Sequence, residues 1–444
     1  MSAERLDLLY PEHLQTAMRR ADRALSAAGF DAMVVHAGRA PLQFLDDQEY
    51  PFKPNPHFKA WVPVIDNPHC ALIHIPGKRP KLLFHQPNDY WHKASPIPQE
   101  PWTRELEIVP IQSGAEAAGH WAKIGKVAFI GPPDSFGDAE SGSVNPPELL
   151  TRLHYDRAVK TAYEIECMRR ASALAAHGHI AALSAFRNGK AEYSAHLAYL
   201  DACALREEEM PYNNIVAYNE HAAILHYQRL ERATPQPLRS FLLDAGAQYR
   251  GYAADITRSH AAAPGAYADL VAELDRAQRA LCAEIVPGRD YREVHLSAHR
   301  TLGDLLHRAG LTKLPGEAAM ERGVTSVFFP HGIGHLLGLQ VHDVGGVLAD
   351  ASGHERKRPE GHPYLRLTRL LEPGVVVTVE PGIYWIDSLL ADARADARRE
   401  HIDWTVVEAL KPFGGIRIED NVVTTAASPE NLTRDAFARL SASA

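Results

Sequence analysis

Residues 241–258 read Phe-Leu-Leu-Asp-Ala-Gly-Ala-Gln-Tyr-Arg-Gly-Tyr-Ala-Ala-Asp-Ile-Thr-Arg, and no other stretch limits the fold as tightly. A short apolar run ends on an acid, Asp244, which is the pattern of a buried strand with a functional terminus. Gly246 and Gly251 flank Gln248-Tyr249, so the chain can turn and come back on itself. On a return strand Ala253, Asp255 and Thr257 share one face, and Tyr252, Ala254 and Ile256 the other, because side chains alternate. A second acid, Asp255, is thereby carried inward. Buried carboxylates are costly unless they are paired or bind a metal. The competing reading, two acids on the solvated faces of a hairpin, weakens as the rest of the chain is read.

At 444 residues the chain has room for two domains of the usual roughly 100–200 residues. Helical periodicity runs over 13–30 through Leu14, Met18, Ala21 and Leu25 and stops at Gly29. Strand-like runs follow at 33–36, 70–75, 81–84 and 126–130, which predicts a small α/β domain over 1–158. Between the first two strands, 44–58 is too rich in Pro and aromatics for regular structure; a mobile linker is one reading, and its aromatics with Asp46 and Asp47 make an ordered binding loop an equal one. In the remainder, 159–444, helices are expected at 163–186, 191–206, 270–285 and 291–309. The chemically rich segments sit at strands or turns instead. The expected architecture is α/β (α+β), with helices outside a curved sheet that carries the site.

Composition narrows the function. A net charge of −8 without a dense Lys/Arg patch argues against nucleic acid as a main partner. No apolar run approaches a membrane span, and the N-terminus lacks a signal-peptide core. The four cysteines are scattered and read as reduced thiols of a cytoplasmic protein. The charged stretch 392–400 reads as a solvated helix or loop.

Three further segments carry chemistry. Residues 330–343 hold His331, His335 and His342 among three glycines that permit close backbone approach. The β-branched run 375–379 leads straight into Glu380 and is stopped by Pro381-Gly382. In 414–423, Ile416 and Ile418 share one face, which puts Arg417 and Glu419 together on the other. If Asp244, Asp255, His335, Glu380 and Glu419 converge, four carboxylates without cations would repel and take up protons. Two divalent ions balance their charge. Oxygen-rich ligation with one imidazole suits Mn²⁺, with Co²⁺, Fe²⁺ or Zn²⁺ as alternatives. Such a pair generates hydroxide and polarises a carbonyl, which is hydrolase chemistry.

These motifs, Asp244-Ala-Gly, Asp255-Ile-Thr-Arg, Pro-His331-Gly-Ile-Gly-His335, Val-Glu380-Pro-Gly and Arg417-Ile-Glu419-Asp, resemble those of the pita-bread-fold metallopeptidases. Within that group the chain is similar to bacterial prolidases, through 44–61 and Ile224-Leu-His226-Tyr227. The resemblance implies a creatinase-like N-terminal domain, then a catalytic domain whose five matching residues bind two metals. It implies that Glu380 shuttles a proton and that His226, His331, His342 and Arg417 hold substrate or stabilise an oxyanion. It also implies substrate contacts from Tyr212 and from Asp46 and Asp47, the latter from a loop that such enzymes present to a neighbouring subunit, as in a homodimer. The expected reaction is attack of a metal-bridging hydroxide on an Xaa-Pro dipeptide, with Arg417 pairing with the proline carboxylate and organophosphate esters as a side substrate. Aminopeptidase P activity is the nearest rival, and a metal-free peptide-binding relative the rival of another class.

Overall fold

The computed structural model describes residues 4–91, 93–136 and 143–443. The chain divides into two compact units, Met1–Cys167 with Arg250–Tyr252 and Leu348–His354, and Met168–Tyr249 with Ala253–Val347 and Glu355–Ala444.

The first unit opens with a helix, Glu4–Ala28, that begins well before the expected residue 13 and contains Pro11. Proline costs a helical hydrogen bond; here Leu6 and Tyr10 are fully buried, and the Tyr10 hydroxyl donates to the Trp61 carbonyl at 2.6 Å. The strands β1 (Ala32–His36), β2 (Ala71–His74), β3 (Lys81–His85), β4 (Glu107–Ile111) and β5 (Val127–Ile130) form one mixed sheet in the order β4-β3-β2-β1-β5. Four of them match the strand-like runs. The fifth, β4, lacks an apolar run and carries Pro110, which a strand tolerates at a sheet edge. The 44–58 loop is irregular until a single helical turn, Pro56–Lys59, capped by Asn55.

In the second unit the expected sheet is present in segments. One has the order β10-β7-β6, made from β6 (Ile215–Tyr218), β7 (Ser240–Asp244) and, after the two-residue strands β8 (Gln248–Tyr249) and β9 (Tyr252–Ala253), β10 (Thr257–Ala261). A second has the order β11-β14-β15, and β12 pairs with β13; these are β11 (Val376–Val379), β12 (Gly382–Tyr384), β13 (Gly415–Arg417), β14 (Asp420–Val423) and β15 (Glu430–Asn431). A bridge between Thr257 and Glu419 stitches the first segment to the turn between β13 and β14. Helices cover this sheet: Phe186 and Tyr199, from two successive helices, pack with Val216, Tyr218, Phe241 and Leu243. The helices Ala266–Ala283 and Tyr291–Arg308 lie where helical periodicity was expected.

One expectation is corrected. Asp255 lies in the irregular link between β9 and β10, on no strand. Its backbone is claimed by a side chain: Asp255 N–H donates to Asn421 Oδ1 at 3.0 Å, and Asn421 Nδ2 donates to the Asp255 carbonyl. An amide that satisfies both groups of one residue replaces the ladder that the alternation pattern assumed.

Candidate metal centre

Three of the four acids sit at or beside a strand end, and Asp255 lies in the link between β9 and β10. Asp244 is the last residue of β7 and pairs with Thr257 of β10. Glu380 directly follows β11, and Glu419 lies between β13 and β14. His335 is brought in by the glycine-rich segment, which runs alongside β11: Thr378 N–H donates to the His335 carbonyl at 3.0 Å, and Glu380 N–H to the Ile333 carbonyl at 2.9 Å. This close approach explains Gly334, where a Cβ would collide with the Thr378 carbonyl and the Tyr291 hydroxyl. Gly246 has the same reason, since a Cβ there would strike the Ala254 carbonyl and the Tyr212 ring.

These elements enclose a cavity of about 510 Å³, whose walls include Asp244, Asp255, His335, Glu380, Arg417 and Glu419. Ligand-capable atoms of Asp255, His335 and Glu419 all lie within 4.8 Å of one another. His335 Nε2 is 3.5 Å from Asp255 Oδ2 and 3.5 Å from Glu380 Oε1. The other ring nitrogen, Nδ1, donates to the Leu336 carbonyl at 3.0 Å, which turns Nε2 towards the acids.

Hydroxyls orient the carboxylates. Tyr212 lies 2.8 Å from Asp244 Oδ1 and 2.6 Å from Asp255 Oδ1. Thr257 donates to Glu419 at 2.6 Å and Thr378 to Glu380 at 3.2 Å. One phenolic proton cannot serve two carboxylates, so the second Tyr212 contact calls for another proton or a cation.

The electrostatics make the same demand. Burial raises the Asp244 carboxyl, with Asp255 adding to it and Arg417 opposing. Glu380 is pushed up to about 7 by burial, against the pull of His335, and Glu419 well above the usual range by burial and by Asp255, Glu380 and Asp244. Burial works the same way on Asp255, but the His335 imidazole outweighs it and holds that carboxyl low. Among the described residues the four acids have one guanidinium in direct contact, that of Arg417 on Asp244. A donor set of oxygens and one imidazole with this surplus of negative charge fits divalent cations.

The remaining expected residues separate. His226 and His342 are exposed on the cavity wall, and their ring nitrogens make no hydrogen bond among the described residues. His331 also lines the cavity, but Nδ1 donates to the Gly332 carbonyl at 2.8 Å and Nε2 meets the Tyr384 hydroxyl at 2.9 Å. Arg417 is buried and donates to Asp244 at 2.6 Å, Tyr384 at 2.9 Å and Thr257 at 3.2 Å. Tyr212 is tied to the carboxylates as described. Asp46 and Asp47 belong to the first unit, where both are exposed.

Sequence reasoning assigned no role to Tyr384, Thr257 or Thr378, although each lies inside or next to a quoted motif. It also passed over Arg366, an exposed cation on the cavity wall. A lone arginine in a polar loop has no spacing signal to mark it.

Two family models match the chain: Xaa-Pro dipeptidase, N-terminal domain, over residues 8–155, and metallopeptidase family M24 over residues 166–426. An Xaa-Pro dipeptidase of Stenotrophomonas maltophilia (strain K279a) is 48% identical over 433 residues, 97% of each chain. One of Xanthomonas campestris pv. campestris (strain B100) is 47% identical over 440 residues, 99% of this chain and 100% of that one. Among solved structures, proline aminopeptidase P II from Yersinia pestis matches with a TM-score of 0.70 at 24% identity, covering 97% of this chain and 99% of that chain. Zinc-substituted E. coli aminopeptidase P in complex with product gives 0.70 at 23%, covering 97% and 98%. At such identities the likeness is one of fold.

Proposed function

This chain belongs to metallopeptidase family M24 and is a metal-dependent hydrolase, and from that premise we propose that it cleaves the Xaa-Pro bond of dipeptides with a free C-terminal carboxylate. The observation that carries the substrate class is the match to Xaa-Pro dipeptidases along nearly the whole of both chains, at 48% identity. The carboxylate–imidazole centre supports the chemistry.

In this reading Asp244, Asp255, His335, Glu380 and Glu419 hold two divalent cations, Mn²⁺ being favoured by the oxygen-rich donor set. When bound, such a pair polarises a carbonyl and lowers the pKa of water towards neutrality. The rest of the work falls to side chains. Glu380 takes the proton of the attacking water and passes it to the leaving proline nitrogen. That nitrogen needs one, because an Xaa-Pro bond is a tertiary amide with no N–H. Tyr212 and Thr257 hold the carboxylates in place.

His342 and His226, whose ring nitrogens are uncommitted, are the donors left to meet the carbonyl oxygen and the substrate's polar ends. His331 reaches the pocket through Tyr384, which it positions together with Arg417. Arg417 itself is engaged by Asp244, Tyr384 and Thr257, so the carboxylate-reading role first expected of it is better met by Arg366, exposed on the wall.

The same reading includes slow turnover of organophosphate esters, whose tetrahedral phosphorus resembles the carbonyl's tetrahedral intermediate. It includes a homodimer, supported by the exposed Leu42, Phe44 and Leu45 beside Asp46 and Asp47, and a cytoplasmic location, supported by four buried cysteines that share no disulfide. No helix among the described residues is long and apolar enough to cross a membrane. The test is elemental analysis of the purified enzyme, then kcat/KM for Ala-Pro against Ala-Pro-Ala. Two cations per chain and a preference for the dipeptide are expected; equal cleavage of both peptides would sink the dipeptidase reading.

A further inference from the structure

Away from the carboxylates, three imidazoles meet, and among the described residues no charged group pairs with them. His295 and His299 stand four residues apart on the helix Tyr291–Arg308, so they share one face a turn apart. His362 comes to them from a loop. The ring centroids are 4.7 Å apart for His295 and His299, 4.6 Å for His295 and His362, and 4.5 Å for His299 and His362. One ligand-capable nitrogen of each lies within 4.8 Å of the other two. His295 and His299 are 1% exposed, and His362 is half-buried, which leaves a way in from solvent.

The hydrogen bonds account for only part of this cluster. Ile333 N–H donates to His295 Nδ1 at 3.3 Å, so the His295 proton sits on Nε2 and is donated to His362 Nδ1 at 2.9 Å. His299 Nδ1 meets the Thr325 hydroxyl at 2.8 Å, while its Nε2 has no partner among the described residues. Packing alone gives no reason to collect three lone-pair donors at one point. We propose that His295, His299 and His362 form a second cation site, selective for a borderline-soft divalent ion such as Zn²⁺ and distinct from the carboxylate centre.

Several features fit that ion. Zinc takes imidazole nitrogens at about 2.0–2.1 Å in tetrahedral geometry, which spaces them about 3.3 Å apart. To reach this the His295–His362 pair, at 2.9 Å, has to open slightly, and the third nitrogen, within 4.8 Å of both, has to draw in. Burial holds His295 at about 2 and His299 at about 3, and lowers His362 too, so all three rings are neutral and have lone pairs to give near pH 7. Thr325 is the outer partner that fixes the tautomer of His299: when Nδ1–H donates to its hydroxyl, Nε2 is left as a ligand. Among the described residues no carboxylate joins the three imidazoles, which separates this site from the main centre and favours zinc, nickel or copper over manganese. On binding, the His295 proton moves from Nε2 to Nδ1 with no net release, and Ile333 N–H loses its acceptor. The cation is thereby linked to the segment that carries His331 and His335.

The test uses the full-length enzyme, first saturated with Mn²⁺ and then dialysed against Zn²⁺, with total metal counted per chain. The wild type is expected to hold one equivalent more than His299→Gln or His362→Gln, each checked for native circular dichroism. With Co²⁺ as the probe, the extra equivalent should add the visible bands of a tetrahedral ion, and both variants should lack them. Thr325→Val leaves all three ligands in place and should weaken the extra equivalent about 10–100-fold. A wild type that holds no more metal than the variants overturns the proposal, and so does an extra equivalent that survives in all three.

Discussion

Glu419 and Asp420 are neighbours in the chain and both are buried, yet the protein treats their charges in opposite ways. Asp420, 0% exposed, receives hydrogen bonds from Arg258 at 2.7 Å, Arg434 at 2.7 Å and Asn431 at 2.9 Å. Burial would raise its carboxyl, but the two guanidiniums outweigh that and hold it at about 2. Glu419, 2% exposed, receives one side-chain hydrogen bond among the described residues, from the Thr257 hydroxyl, and shares the cavity with three more acids. Successive side chains of an extended segment point to opposite sides, so one is delivered to two guanidiniums that bond it directly and the other to a cavity where acids outnumber the cations that reach them. The contrast identifies which carboxylates are structural. Where the charge serves the fold, arginines neutralise it permanently; where it serves chemistry, the neutralising charge is left to come from outside.

The comparison breaks first at Asp255. Asn in its place keeps the size and the backbone bonds with Asn421 but removes the anion on which Tyr212 and His335 converge. Nearly all hydrolysis of Ala-Pro is expected to disappear, with lost metal and a near-native circular dichroism spectrum. Normal turnover with two bound ions would remove Asp255 from the ligand set. Glu380→Gln is the next largest change. It keeps a ligating oxygen and cannot take a proton, so kcat should fall about 10²–10⁴-fold, with metal binding impaired less than in the Asp255 variant. A merely halved kcat would mean that the proton travels by another group.

Asp420→Asn probes the other side of the contrast and should act on stability. Breaking a buried ion pair costs about 3–5 kcal/mol when the partner charge is stranded; here Arg258 is left with the Thr257 and Glu419 carbonyls while Arg434 keeps Asp275, which places the loss towards the low end of that range. Urea unfolding should show that loss, and metal content per folded molecule should be unchanged. The pH dependence has a definite sign. A carboxyl held at about 2 when folded, against about 3.9 unfolded, contributes its full stability above pH ~4 and loses it as the pH falls towards 2. The wild type should therefore lose more stability than the variant across that window. Parallel curves would show that Asp420 is not the group the arginines stabilise.

How much of this was legible in the sequence depends on whether the signal is local. A β-branched run that ends on Glu380 before Pro-Gly is readable, because strand, terminus and stop occupy eight consecutive positions. The same holds for Asp244 at the end of β7 and for His335 among its glycines. What was not legible needs a distant partner. Asp255 leaves the strand pattern because Asn421, 166 residues away, takes its backbone groups. The hydroxyls of Tyr212, Thr257 and Thr378 become orienting groups only once the strand ends meet. His295 and His362 are 67 residues apart, and nothing in the spacing of either predicts the other. The edge strand β4 was hidden by Pro110, which breaks the apolar run that marks central strands.

The smallest effect is expected at the guanidinium that is free to act. Arg417 is buried and held by three protein groups, whereas Arg366 is exposed on the cavity wall. If Arg366 reads the substrate carboxylate, its loss removes a charged hydrogen bond worth about 1.5–3 kcal/mol, and solvent at this exposed position brings that to the low end. Arg366→Ala should then lower kcat/KM for Ala-Pro about tenfold, mainly through KM, and leave Ala-Pro-amide nearly unaffected. Lysine should rescue only in part, since it offers charge without the planar fork that matches a carboxylate. Arg417→Ala, by contrast, strips Asp244 of its partner and should depress turnover of both substrates alike. If Arg366→Ala instead treats acid and amide equally while Arg417→Ala discriminates between them, the two arginines have been assigned the wrong way round, and a buried guanidinium gives up its protein partners when substrate arrives.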